Sequence, residues 1–180
     1  MAGTIPAARQ HLIDAIAEEA RRRRTVLPPK AVVAFVNSYY RGVDEDDLRE
    51  AGAETLAMAA ISHVELGKQR RHGQPIVRVW NPDAARDGWS TPRTVVEVVT
   101  DDMPFLVDSL TMVLNGSGLS IHLMVHPVLH AERNGRGRLT GVGERGIKED
   151  AESWQRIEVD RVADPARIKD SHNTIKDMGV

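Results

Sequence analysis

Histidines 122, 126 and 130 recur every four residues, and imidazole is the commonest side-chain metal ligand. On a helix this spacing would gather three imidazoles on one face. Their neighbours are Ile121, Leu123, Val125 and Val128, with Pro127 in the middle, which predicts an extended segment. On a strand, residues i and i+4 share a face but lie about 13 Å apart, while zinc holds its ligands at about 2 Å. Within one chain the three histidines cannot meet one ion, and a site shared across a dimer axis is the remaining route. The expectation is no metal site, with the histidines on a polar sheet face opposite Ile121, Leu123, Val125 and Leu129.

Gly141-Val142-Gly143-Glu144-Arg145-Gly146 fits G-x-G-x-x-G. A dinucleotide fingerprint needs an apolar strand before it and an apolar helix after it. Here Gly135-Arg136-Gly137-Arg138 leads in and Lys148-Glu149-Asp150 follows, so the run reads as a flexible hairpin loop. Asp108-Ser109 lacks the strained strand-to-helix elbow of a serine hydrolase, and Ser109 falls within an expected helix. Asp101 and Asp102 are adjacent at a strand end, where side chains point apart, and one of them is expected to cap the next helix. No catalytic residue is assigned. The informative stretch is the turn from Thr100 to Asp108. It presents backbone N–H groups at a helix N-terminus, and such groups are preformed donors for a small anion or carboxylate. The aspartates beside them would compete for phosphate's place, which favours a zwitterion.

These residues sit among elements that can be read from periodicity. Leu12, Ile13, Ile16, Ala17 and Ala20 recur at helical spacing, and Pro28-Pro29 stops the pattern. Arg21 to Arg24 complement the end of that helix and read as a solvated face. A second helix runs from the prolines to Gly42. A third starts at Asp44-Glu45-Asp46-Asp47 and extends as one piece to about Lys68, with Gly52 and the alanines allowing a close neighbour. His63 on it is expected to be packed. Beyond Pro75, residues 76–80 and 94–100 read as strands, separated by a polar loop at 83–93. A helix follows from Pro104 to about Asn115, ended by Gly116-Ser117-Gly118. Residues 119–131 are extended, 132–138 form a basic turn region, 154–162 form a strand and Asp164-Pro165 starts a last weak helix. From residue 94 the order is strand, helix, strand, strand, helix, which is the ferredoxin-like order lacking its last strand. The early strand 76–80 is expected to fill that edge slot, in a mixed sheet with helices on one face. The division is a helical segment, 1–73, and a sheet domain, 74–180.

Composition narrows the classes further. The 180 residues are 41% hydrophobic and 28% charged, the balance of a globular chain long enough to bury a core unaided. No cysteine is present, which rules out disulfides, thiolate metal sites and thiol nucleophiles. Net charge is −2 and aromatics total 4%, and the expected strands contain neither Tyr nor Phe. That argues against nucleic-acid binding, which would stack bases on sheet aromatics. No span of about 20 apolar residues suits a membrane, and Met1-Ala2-Gly3-Thr4 lacks the order of a signal peptide. A cytoplasmic protein, or a piece of one, is expected.

Val79-Trp80-Asn81-Pro82, the run Thr94 to Ser109 with Asp-Asp-Met-Pro-Phe-Leu-Val-Asp-Ser at its end, Ile121-His122-Leu123-Met124-Val125-His126-Pro127 and Glu152 to Arg161 together resemble the N-terminal region of the large bacterial NAD-specific glutamate dehydrogenases. The likeness covers about residues 35–165. It implies an α+β fold: a helical N-terminal segment, then an ACT-type, ferredoxin-like antiparallel sheet with helices on one face. It also implies a parent polypeptide many times longer that converts L-glutamate and NAD to 2-oxoglutarate, ammonia and NADH, with its NAD and its catalytic lysine held elsewhere. This region would hold no cofactor, pair into a homo-oligomer and contact the rest of the parent. By the ACT pattern the ligand loop maps onto Asp101, Asp102, Met103, Pro104, Phe105, Asp108 and Ser109, and the Gly-x-x-Ile signature onto Gly118 and Ile121. ACT loops usually carry glycine after the proline; Phe105 stands there, which narrows the backbone approach. Several readings stay open: a regulatory and assembly region of the parent enzyme taking an amino-acid effector at this loop, a purely structural ACT-like dimerisation module with an empty ligand loop, which Phe105 filling the pocket would support, or a free-standing dimerisation or amino-acid-binding module without enzyme activity.

Overall fold

A computed structural model describes residues 6–143 and 151–180. The N-terminal segment forms α1 (Ala7–Arg21), α2 (Pro29–Tyr40), α3 (Glu45–Ala51) and α4 (Ala53–Gly67). Pro29 opens α2 as its first residue, where a missing N–H costs nothing. Asp44 caps α3, accepting from the Asp46 amide at 3.0 Å. The single third helix expected from 44 to 68 is two helices, because Gly52 adopts φ +83°, a left-handed turn that glycine takes without a steric penalty. The arginines after α1 are solvent-facing, with Arg21 and Arg22 paired to Glu18 and Glu19 on the same helix.

The sheet comprises β1 (Ile76–Trp80), β2 (Thr94–Asp101), β3 (Ile121–Val125), β4 (Val128–Arg133), β5 (Leu139–Gly143) and β6 (Ala151–Val159). Its order is β1-β2-β6-β4-β5, with β3 also on β6. Every pairing is antiparallel, as the ACT resemblance implies and unlike the mixed sheet read from element order. β1 lies at the edge beside β2, in the slot of the absent last ferredoxin strand. The polar 83–93 loop contains one short turn of helix, α5 (Ala84–Asp87), capped by Asp83. α6 (Leu106–Gly116) and α7 (Pro165–Asp177) follow β2 and β6.

The extended stretch 119–131 is two strands, not one. The break falls at His126-Pro127, since proline cannot donate to a ladder; the Pro127 carbonyl still accepts from the Trp154 amide at 3.0 Å. The expected single face of Ile121, Leu123 and Val125 is also corrected. A register shift between Ile121 and Leu123 inserts a residue and flips the alternation. Ile121 packs with the α6–α7 core, while Leu123 and Val125 pack on the opposite side. The hairpin turn is at residues 134–138, where the Asn134 side chain accepts from the Arg136 and Arg138 amides. Gly141 to Gly143, expected in a loop, belong to β5; the remainder of that run, 144–146, lies outside the described residues.

Both faces of the sheet are covered. One core joins Val96, Val98, Ile157 and Val159 to Leu110, Leu114 and Ile175 of α6 and α7. The other joins Val99, Val125, Leu129 and Trp154 to α1, α2 and α4. The helices that belong to the ferredoxin-like unit therefore lie on one face, and the N-terminal helices form a further layer on the other. This explains why β2 is buried from Thr94 to Thr100: a strand covered twice reads as a continuous apolar run. Trp154 anchors the second interface. Its ring meets Phe35 edge-on at 5.3 Å and His63 at 5.0 Å, and His63 is packed as expected, fully buried with Nδ1 2.7 Å from the Tyr39 hydroxyl. Among the described residues no helix is long and apolar enough to cross a membrane.

At Gly67 the last turn of α4 lies directly on the Trp154 ring, and a Cβ there would overlap it. Gly67→Val should destabilise the chain by about 1–3 kcal/mol through overpacking, read as a lower urea midpoint with unchanged slope.

Candidate functional site

The segment leaving β2 is held from both sides. The Asp101 carboxylate accepts from the Gly73 amide at 2.7 Å and from Arg70. Arg70, almost fully buried, also reaches Glu152 at 3.0 Å, and Arg133 reaches the same carboxylate at 2.8 Å. Asp101 is therefore part of the clamp between the end of α4 and the sheet and does not face the turn. Burial works to raise its pKa, but the Arg70 and Gly73 hydrogen bonds outweigh this and hold the carboxyl below the usual range. Asp102 is exposed, its amide donating to the Ala151 carbonyl at 3.0 Å. Neither aspartate caps α6, contrary to expectation.

The cap position of α6 is Phe105, at φ 62° and ψ 12°, with no side-chain hydrogen bond to the helix. It is the one non-glycine residue with positive φ among those described. The backbone thus takes the conformation that a glycine would take after Pro104, at a cost of about 1–2 kcal/mol, while the ring swings outward and is 77% exposed. Phe105 lines the adjoining pocket, but its ring does not bury itself there. The first intrahelical bond is from Ser109 to the Phe105 carbonyl at 2.9 Å. The amides of Leu106, Val107 and Asp108 precede it, and no side chain caps them.

The residues carrying these amides line a shallow pocket of about 180 Å³, together with Asp102, Phe105, His126, Val128 and Gln155. Gln155 is 1% exposed; its amide nitrogen donates to Ser153 at 2.7 Å, and its Oε1 has no partner among the described residues. Met103 and Leu106 pack on the α6–α7 core. Pro104 is exposed, and Ser109 lies half-buried within α6. Gly118, at φ 75°, turns the chain out of α6, and Ile121 begins β3 half-buried against the same core. Of the ligand-loop positions, Asp102, Met103, Phe105 and Asp108 line one pocket; Asp101, Pro104, Ser109, Gly118 and Ile121 do not.

The three histidines sit in different places. His122 pairs with Asp160 at 2.6 Å, His126 borders the α6 pocket, and His130 lines a cleft of about 620 Å³. In that cleft Arg70 and Arg133 are already taken up by Asp101 and Glu152. Gly141 and Gly143 lie on an antiparallel hairpin strand, whereas a dinucleotide site needs the turn of a parallel strand–helix–strand unit. Gly141 and Gly143 therefore do not form a dinucleotide fingerprint.

Sequence reasoning missed Gln155 and the charged row on the other face of the sheet. Glu97 and Arg156 are cross-strand partners and fully buried. Burial raises the Glu97 pKa, partly offset by Arg78, which bonds Oε2 at 2.7 Å; its Oε1 has no partner. A lone Glu inside Val-Val-Glu-Val-Val, in a strand buried on both faces, was the available signal, since buried carboxylates are rarely unpaired.

Because the folded-state pKa of Asp101 is depressed, its stabilisation is complete above the unfolded value and fades as pH falls through the folded one. Asp101→Asn should cost about 1–2 kcal/mol at neutral pH, towards the lower figure because the carboxylate is partly exposed. The gap from the parent should close below about pH 4, as followed by urea unfolding across that range.

A family model described as glutamate dehydrogenase, ACT1 domain, matches residues 35–175. The NAD-specific glutamate dehydrogenase of Pseudomonas aeruginosa is 34% identical over 141 residues, covering 77% of this chain and 9% of the relative. That of Halomonas elongata is 33% identical over 166 residues, covering 91% of this chain and 10% of the relative. The chain thus spans about a tenth of the curated relatives it matches. No solved structure matches it. The match over most of the chain, on a ferredoxin-like antiparallel sheet, places the chain in the ACT1 domain family of the glutamate dehydrogenases.

Proposed function

We propose that this chain is a non-catalytic regulatory and assembly region of a cytoplasmic, homo-oligomeric NAD-dependent glutamate dehydrogenase, and that the pocket at the α6 N-terminus takes a free α-amino acid as effector. The parent reaction, L-glutamate and NAD to 2-oxoglutarate, ammonia and NADH, belongs to the remainder of the polypeptide. The observation carrying the effector reading is the pairing of uncapped α6 amides with the partnerless, buried Gln155 Oε1 in one pocket. A carboxylate suits the amides and the positive end of the helix dipole. An ammonium suits Gln155 Oε1 together with the Asp102 and Asp108 carboxylates. Phosphate would meet those two carboxylates at close range, and like charge opposes it.

The outward Phe105 ring and half-exposed Val128 supply an apolar wall that an aliphatic side chain could cover. A strained backbone at such a position is a common companion of a binding loop. Phe105 filling the pocket would support the dimerisation-module reading; its ring is instead 77% exposed.

Calorimetry of the chain with glutamate, aspartate, serine and arginine should show saturable heat for at least one of them, without dehydrogenase activity in the chain. Gln155→Leu should weaken that binding about tenfold or more, since it removes one charge-assisted hydrogen bond. Absence of heat and of any melting shift at millimolar amino acid would overturn the effector reading.

A further inference from the structure

We propose that a second cavity, on the opposite face of the sheet, is a binding site for a small zwitterion whose carboxylate is held by Arg156. The cavity measures about 270 Å³ and lies where the α3–α4 corner and residues 90–93 approach β3 and β6. Arg156 lines it and is 0% exposed. Gln155 and Arg156 are consecutive on β6, so alternation sends them to opposite layers. The two sites therefore share a strand and no lining residue, and the second does not depend on the effector reading of the first.

The state of Arg156 is what points to a ligand. A guanidinium has five N–H donors and is always charged, and burying it without partners is costly. Two weak contacts are present, both at 3.4 Å: one to Glu158 and one to the Tyr40 hydroxyl. Among the described residues its Nε has no partner, and the neighbouring Glu97 keeps a partnerless Oε1. Glu97 gives its other oxygen to Arg78 at 2.7 Å and Trp80 at 2.9 Å, so it does not close a bidentate pair with Arg156. A carboxylate arriving through the cavity would be the natural planar partner.

The rim defines the rest of the ligand. Arg93 makes no ion pair or side-chain hydrogen bond among the described residues, and the same holds for Asp47 and Glu50. His122 is occupied by Asp160. One free cation near the buried one, and two free carboxylates beside Glu158, match a molecule carrying both signs better than a dicarboxylate or a diamine. Taking about 30 Å³ per water in the liquid, the cavity has room for roughly nine waters, and so for a compact zwitterion. Because α3, α4 and the 90–93 loop belong to different layers from β6, such a ligand would bridge the N-terminal helices and the sheet.

The test is a titration of the ¹⁵N-labelled chain followed by NMR, reading backbone amides and the Arg156 Nε–H. The probes are glycine, L-serine and L-glutamate, with acetate and ethylammonium as the separated halves. At least one zwitterion should shift the Arg156 Nε–H and the amides of 55–56, 90–91 and 122–123 saturably. Acetate and ethylammonium should each bind at least about tenfold more weakly. Thr55→Trp fills the cavity from α4 and keeps Arg156 itself, and it should abolish these shifts while leaving the rest of the spectrum in place. Arg156→Lys keeps the charge but loses the planar fork, and should weaken binding about tenfold or more. Four results would overturn the proposal: no shift with any zwitterion, binding that survives Thr55→Trp, acetate or ethylammonium binding as tightly as the zwitterions, or shifts confined to 102–108 and 126–128. The last of these would leave the α6 pocket standing alone.

Discussion

Strand β6 hydrogen-bonds to β2 on one side and to β3 and β4 on the other, and both of its faces are covered. Each of its side chains must be accommodated by one of two layers, and that requirement organises the molecule. Ile157 and Val159 enter the α6–α7 core, while Trp154 enters the core beneath α2 and α4. Glu152, Arg156 and Glu158 alternate with the same face as Trp154, so the layer that buries a tryptophan also buries a row of charge. A one-residue slip of β6 would exchange the two sets and fail on both faces.

That charged row explains why the N-terminal helices pack as they do. Arg70, at the end of α4, joins Glu152 and Asp101, while Arg78 joins Glu97 and donates to Ser62 on α4 at 3.0 Å. Tyr39 and Tyr40 place their hydroxyls on His63 and on the Leu56 carbonyl. Burial pushes the Tyr40 hydroxyl up to about 12. It drives the His63 pKa well below its ordinary value, with Arg156 and Arg78 adding to the effect, so this imidazole is neutral at physiological pH. Buried ion pairs contribute little net stability against an apolar replacement, and leaving one partner alone is costly. Their effect here is directional: the helices have one position on the sheet in which these groups are met.

The α6 turn follows from the same arrangement. Asp101 is the last residue of β2 and faces the N-terminal layer, where Arg70 and Gly73 claim it. Asp102 is exposed and does not cap the helix either. Pro104 and the left-handed Phe105 complete the turn, and the first three amides of α6 have no side-chain cap. The chemistry of the pocket follows from which groups the two layers leave unpaired.

Local chemistry was legible in the chain. β-branched runs marked β1 and β2, Asp44 and Asp164 marked helix starts that they do cap, and strand–helix order identified the ferredoxin-like unit with β1 in its edge slot. Gly52 splitting a helix, the bulge at Ile121–Leu123 and the interruption at Pro127 were not legible as such. Glycine inside a helical pattern is tolerated or not according to tertiary context, and a bulge changes face without changing composition. By itself the sequence determined most of the helices and the strands β1, β2 and β6, because propensity, capping and periodicity act over a few neighbouring residues, and its motifs carried the resemblance to the family. Only the tertiary structure decided that the N-terminal helices cover the second face, that Asp101 turns away from the α6 loop, and that Gln155 Oε1 and Arg156 Nε are left without partners. Those outcomes depend on groups far apart in the chain, and burial makes each polar group's fate a property of the whole packing rather than of its neighbours in sequence.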